Sequence, residues 1–220
     1  MRLKYLTINQ AVWFDEAEYL SAAKNWAFGI PYQLNFVRPP LLPFIMALFY
    51  KIGGGEFFFR IILLLFSLAG LILTYLIGKA LFNKYVGLIA LTITSFHYLN
   101  LFYTARLLSD IPSLTLFLFT LYFFWEGYVN KKSIYLYLMG LTFILSILMR
   151  FPAGILGLVL FLYLLITEGF KFLKNKKLWI SVSIFLVILI PYAIWYYKTY
   201  HKIAIIGASG FYDKSILFKE

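Results

Sequence analysis

Six stretches of the chain are almost entirely apolar and approach the length needed to cross a lipid bilayer. A helix of about 20 apolar residues crosses the roughly 30 Å of hydrocarbon in a membrane. These stretches therefore predict an all-α, polytopic integral membrane protein with about six transmembrane helices. The predicted spans are residues 57–78, 86–104, 111–129, 134–149, 151–167 and 178–197.

The composition supports a membrane protein and argues against a nucleic-acid-binding protein. Hydrophobic residues make up 63% of the chain and charged residues 13%, whereas soluble domains have about half and a quarter. The formal net charge of +11 would suit nucleic acid, but the basic residues are scattered in short loops and form no basic face. The absence of cysteine excludes disulfides and thiolate metal sites.

The loops between the apolar runs alternate in charge, which predicts their orientation. Three loops carry asparagine and lysine, at 83–84, 130–132 and 174–177, while the other two carry Arg106 with Asp110, and Arg150. Lysine-rich loops favour the cytoplasmic side. The chain is thus predicted to comprise an external acidic loop with juxtamembrane helices, a six-span bundle and an external tail, at 1–56, 57–198 and 199–220.

Two short features break this pattern of long spans. Residues 41–52 are apolar but too few to cross the membrane, and with Pro39-Pro40 before them and Lys51 near their end they predict an interfacial juxtamembrane helix. Arg150-Phe151-Pro152 combines a charge with a helix breaker. It predicts a tight turn between the fourth and fifth spans.

Three of the nine acidic residues lie close together near the N-terminus, at positions 15, 16 and 18. If 14–27 is a helix, Asp15, Glu18 and Tyr19 share one face and Glu16 lies on another. Acids in a first turn interact favourably with the helix dipole. Carboxylates grouped at a membrane surface also suit a general base or a metal-binding pair.

The order of several motifs is similar to that of a known enzyme family. WFDEAEYLSAAKNW is followed by VRPPLLPFIMALF, then by RIILLLFSLAGLILTYLIGKALFNKYVGLIAL and ARLLSDIPSLTLFLF. This order resembles the GT-C superfamily of polytopic glycosyltransferases, in particular its dolichyl-phosphate-mannose protein mannosyltransferase and aminoarabinose transferase branch. Those enzymes have an Asp-Glu pair in the first external loop, an R/K-P-P-x-x-P segment and a second acidic residue in the next external loop. The match covers most of residues 11–125.

The resemblance implies transfer of a sugar from a polyprenyl (dolichyl)-phosphate donor to a hydroxyl acceptor on a protein or lipid-linked glycan. The reaction would take place on the external face with inversion. Asp15 matches the family's acidic residue and is the expected base, with Glu16 in support. Asp110 matches the second acidic position, where it would bind the acceptor or, together with Asp15, a divalent cation such as Mg²⁺ or Mn²⁺.

Four basic residues are candidates for contact with the donor. Arg38 and Arg106 suit the lipid phosphate because a guanidinium group binds phosphate bidentately. Alternatively, Arg106 pairs with Asp110 four residues later, and Arg38 extends to the headgroups. Lys24 either balances charge within its helix or contacts the donor, and Arg150 either reaches the same external cavity or anchors its helix at the interface.

The sequence departs from the family pattern in starting where the family's first transmembrane helix would end, and in being shorter than most members. We therefore expect a truncated chain, for which a non-catalytic fragment or subunit of a transferase is the alternative function. A transporter is less favoured. It would show ionisable residues deep in several spans, or broken helices paired between two halves.

Overall fold

The computed structural model describes residues 12–32 and 38–200, and every regular element within them is a helix. The all-α prediction is therefore confirmed for these residues, while most of the predicted tail at 199–220 lies outside them. The helices, named in chain order, are α1 (Phe14–Phe28), α2 (Leu41–Lys51), α3 (Glu56–Leu81), α4 (Lys84–Phe96), α5 (Tyr98–Tyr103), α6 (Asp110–Phe124), α7 (Ser133–Met149), α8 (Ile155–Glu168) and α9 (Lys176–Tyr200). A π-helical turn, Trp125–Val129, extends α6, and 3-10 turns flank α8 at Phe151–Gly154 and Gly169–Lys174.

Within the described part of the chain, three helical segments are long and apolar enough to cross a membrane, namely Glu56–Leu81, Phe151–Lys174 and Lys176–Thr199. They support an integral membrane protein, and the count of six spans stays a prediction. The second predicted span is not one continuous helix, because the backbone at His97 is extended and separates α4 from α5.

The predicted turn at Arg150 is confirmed. The backbone of Arg150 is extended, with φ −158° and ψ 115°, and Phe151–Gly154 forms a 3-10 turn before α8. A residue that precedes proline disfavours the α conformation, and proline has no N–H to donate to the preceding turn. The turn places the C-terminal end of α7 beside the N-terminal end of α6.

The N-terminal helices pack onto one end of the bundle. Helices α1 and α2 pair with each other, and a single hydrophobic cluster joins them to α3, α6, α7 and residues 104–109, the α5–α6 loop. Burying this apolar area stabilises the docking of α1. The buried members of the cluster are Tyr19, Leu20, Ala23, Leu42, Met46, Ala47, Phe59, Leu63, Leu107, Leu108, Leu116 and Met149.

Candidate functional site

A cavity of about 160 Å³, here called the polar cavity, opens where α1, the start of α6 and the α7–α8 turn meet. It contains four of the predicted site residues: Asp15, Arg38, Asp110 and Arg150. Lys24 is exposed on α1 and is not among the described residues that line it. The described residues that line it are Asp15, Tyr19, Arg38, Pro39, Leu108, Ser109, Asp110, Arg150, Phe151 and Pro152.

Arg38 binds two carboxylates of α1 at once. Its Nη2 donates to Asp15 and its Nε donates to Glu18. Asp15 and Glu18 lie nearly one turn apart on the same face of α1, as the helical spacing predicted. Burial lowers the pKa of Arg38, but the hydrogen bonds to Glu18 and Asp15 raise it more. The guanidinium group therefore stays charged at the edge of the polar cavity.

A second ion pair lines the same cavity, where Arg150 donates to Asp110. Asp110 is the first residue of α6, and Arg150 directly follows the last residue of α7. The alternative in which Arg106 pairs with Asp110 is wrong, because Arg106 pairs with Glu16. Two arginine–carboxylate pairs, Arg38 with Asp15 and Arg150 with Asp110, thus lie among the described residues that line the polar cavity.

Glu16 is completely buried and connects two backbone segments. Its carboxylate accepts the backbone N–H of Trp13 at 2.8 Å and of Leu107 at 2.8 Å, and lies 3.4 Å from Nη1 of Arg106. The Arg106 guanidinium carbon is 4.3 Å from the centre of the Trp13 ring, a favourable cation–π distance. Neither Glu16 nor Arg106 is among the described residues that line the polar cavity. The geometry favours a structural role for both, whereas the sequence predicted catalysis and phosphate binding.

The α5–α6 loop is also held from α3. Nη1 of the buried Arg60 donates to the carbonyl oxygen of Ala105 at 2.6 Å, and the hydroxyls of Ser67 and Thr104 lie 3.0 Å apart. Sequence reasoning gave Arg60 no role, since an arginine near the end of an apolar run is commonly an interfacial anchor. Arg60 and Glu16 together fix the loop that positions Asp110.

Two hydroxyl groups complete the wall of the polar cavity. The Tyr19 hydroxyl and the Ser109 hydroxyl lie 3.1 Å apart. Burial raises the pKa of Tyr19 above its ordinary value of 10.0, so that hydroxyl stays protonated at neutral pH. The sequence placed Tyr19 on the face of Asp15 without a function, and it gave no signal for Ser109.

The predicted divalent cation does not fit this set of side chains. Asp15 and Asp110 each bind an arginine, and a cation between them would lie next to two guanidinium groups. Among residues 12–32 and 38–200 there is no group of three or more His, Cys, Asp and Glu residues that could hold a metal ion. Mg²⁺ and Mn²⁺ require several oxygen ligands, so no step of the chemistry is assigned to them.

A much larger apolar groove, of about 640 Å³, lies between α1, α2, α7 and α9. Its walls are mostly large hydrophobic and aromatic side chains, and Lys51 is the one charged residue among the described residues that line it. The volume of the groove is large enough to hold part of a lipid tail. Its lining is Trp26, Pro40, Leu41, Phe44, Ala47, Leu48, Lys51, Leu145, Leu148, Ile188, Tyr192 and Trp195.

A narrow space, here called the aromatic neck, shares lining residues with both the apolar groove and the polar cavity. The neck shares Trp26, Tyr192 and Trp195 with the groove, and Tyr19 and Arg38 with the cavity. Arg38 therefore lies at the junction between an apolar and a polar compartment. The aromatic residues of the neck are Tyr19, Trp26, Tyr32, Tyr192, Trp195 and Tyr196.

The apolar helices and the match to a family model relate the chain to the GT-C class of membrane glycosyltransferases. Within that class, the chain belongs to the dolichyl-phosphate-mannose-protein mannosyltransferase family, whose model matches residues 37–195. The matched residues include Arg38, Asp110 and Arg150, while α1 precedes them.

An uncharacterized protein of Aquifex aeolicus (strain VF5) is 28% identical to the chain over 192 residues. The match covers 80% of this chain and 38% of that protein. The chain therefore spans well under half the length of this relative. No solved structure matches the chain significantly.

Proposed function

We propose that the chain carries the transfer site of a glycosyltransferase that moves a sugar from a polyprenyl (dolichyl)-phosphate donor to a hydroxyl acceptor. The observation that supports this donor is the order of the three compartments. The apolar groove, the aromatic neck at Arg38 and the polar cavity are neighbours in that order, each sharing lining residues with the next. A polyprenyl-phosphate sugar has the same order of lipid tail, phosphate and sugar.

The chemistry follows from the nature of the donor. Its phosphate is already a good leaving group, so the site must stabilise the phosphate, deprotonate the acceptor hydroxyl and align both substrates. Arg38 binds the phosphate, and Asp15 takes the proton. The acceptor oxygen attacks the anomeric carbon opposite the phosphate. As the new C–O bond forms, the bond to the phosphate oxygen breaks and its electron pair leaves with the phosphate, which inverts the anomeric centre.

The Asp110–Arg150 pair in the polar cavity suits the acceptor hydroxyl. The Asp110 side chain, 40% exposed, orients the acceptor hydroxyl, and Arg150 adds a second positive charge. The protonated hydroxyl of Tyr19 is available as a donor toward sugar or phosphate oxygens. We further propose that the chain crosses the membrane six times, with α1 and α2 on the external face. The acceptor is a protein or a lipid-linked glycan.

The proposal is tested by measuring the transfer of labelled sugar from polyprenyl-phosphate donors in membranes that contain this chain. Asp15→Asn is expected to lower transfer by about 10²–10⁴-fold, the range attributed to general base catalysis. Glu56→Gln is the matched control, because Glu56 is an exposed carboxylate at the start of α3, outside the polar cavity.

The control variant should keep the activity of the unaltered chain. If the unaltered chain inserts normally and transfers none of the tested sugars, the proposal fails for this chain. The alternative of a non-catalytic fragment or subunit is then favoured.

A further inference from the structure

We infer that Glu18 is a positioning residue for the donor phosphate, and that the phosphate replaces Asp15 as the partner of Arg38. In this arrangement Glu18 keeps the Nε side of the guanidinium group in place, while the Nη2 side moves from Asp15 to the phosphate. The inference rests on the proposed function and adds to it a coupling between donor binding and release of the base.

The two carboxylates that bind Arg38 differ in exposure. The Glu18 side chain is 11% exposed and lines the aromatic neck, whereas the Asp15 side chain is 47% exposed and lines the polar cavity. Ion pairs exposed to water contribute little to stability, while removing one partner of a buried pair is much more costly. Asp15 is therefore the partner that an incoming anion displaces, and Glu18 is the partner that stays.

Arg38 is constrained on its other sides as well. Its guanidinium carbon lies 5.8 Å from the centre of the Tyr19 ring. The following residue, Pro39, is buried and has a fixed φ angle. A guanidinium group has five N–H donors in a rigid plane, so one edge can bind Glu18 while another binds a phosphate.

The exchange has a consequence for catalysis. While Nη2 of Arg38 donates to Oδ1 of Asp15, that oxygen is occupied and is a poor acceptor for the proton of a hydroxyl. Once the donor phosphate takes over Nη2, the Asp15 carboxylate is released toward the polar cavity. Asp15 therefore has both carboxylate oxygens available to the acceptor hydroxyl only when the donor is bound.

The test measures the affinity of the purified full chain in lipid nanodiscs for decaprenyl phosphate, a donor mimic without a sugar. Asp15→Asn should bind this lipid about fivefold more tightly, because the competing carboxylate on Arg38 has lost its charge. Glu18→Gln should bind it about tenfold more weakly, because Arg38 is no longer held toward the junction. Decaprenol, which has no phosphate, should bind equally to all three proteins.

Opposite effects of the two substitutions separate this inference from a structural role, since loss of folding would weaken binding in both variants. In the transfer assay, Glu18→Gln should raise the KM for the donor and leave kcat within about twofold. If the unaltered chain does not bind decaprenyl phosphate, the proposed function itself fails. If it binds the lipid and Asp15→Asn weakens binding, or Glu18→Gln leaves it unchanged, the proposed function stands and this inference is overturned.

Discussion

Asp15 and Glu16 are chemically similar neighbours that have different surroundings. The Asp15 side chain is 47% exposed and faces the polar cavity, whereas Glu16 is completely buried against the α5–α6 loop. Successive helical residues point about 100° apart, so adjacent acids cannot both face the same cavity. The helix geometry therefore separates a candidate base from a structural carboxylate.

This separation predicts different costs for the same chemical change. Glu16→Gln removes the charge opposite the buried Arg106 and one of the acceptors for the Trp13 and Leu107 N–H groups. Loss of one partner of a buried ion pair typically costs about 3–5 kcal/mol. Asp15→Asn, at a half-exposed pair, should cost less than about 1 kcal/mol. Thermal unfolding of the two variants in detergent measures the difference.

A double variant checks the explanation for Glu16. Glu16→Gln with Arg106→Met removes both charges, and it should be less destabilised than Glu16→Gln alone because no buried charge is left unpaired. Equal unfolding temperatures for Asp15→Asn and Glu16→Gln would contradict the structural role of Glu16.

At the scale of the helices, local sequence signals predicted the elements better than the contacts between them. The helix expected over 14–27 is Phe14–Phe28, and the one expected over 41–52 is Leu41–Lys51. Apolar runs and breakers such as Pro40, which directly precedes α2, determine where helices begin and end. The partner of Arg106 was not predictable, because it depends on how α1 docks against a loop 90 residues away in sequence.

The contact between α7 and α9 depends on a glycine. A Cβ atom at Gly140 would overlap the carbonyl oxygen of Ser181, which lies on α9. Gly140→Ala should therefore push the two helices apart and lower the stability by about 1–3 kcal/mol, as overpacking does. Thermal unfolding in detergent provides the measurement.

Gly154→Ala is the matched control for this contact. Its Cβ atom would lie 3.8 Å from Cδ1 of Ile147, an ordinary van der Waals distance. Its backbone, with φ −58° and ψ −22°, already suits alanine. The control should unfold at or slightly above the temperature of the unaltered chain. If Gly140→Ala does the same, the close approach of α7 and α9 is refuted.

At the scale of the whole molecule, the polar cavity and the apolar groove arise from the same docking of α1 and α2. One face of this helix pair contributes Asp15 and Tyr19 to the cavity, and Trp26 and Leu48 line the groove. Helix α9 packs beside α7 and provides the remaining lining of the groove. This part of the lining therefore comes from residues near the end of the described chain. Local sequence patterns did not predict it, since it requires elements more than 100 residues apart.

The groove predicts that transfer depends on the length of the donor's lipid tail. Leu48 is half-exposed and lines the groove, so Leu48→Trp would fill part of it without altering the buried core. The KM for a long-chain polyprenyl donor should then rise about tenfold, because several buried CH₂ groups, each worth about 0.8 kcal/mol, lose their contacts. A donor with a short isoprenoid tail should be nearly unaffected, since its tail does not reach the tryptophan.

Leu158→Trp is the matched control, because Leu158 is a similarly exposed position on α8 outside the groove lining. This variant should change the KM for neither donor. Equal changes for long and short donors would show that the tail lies elsewhere.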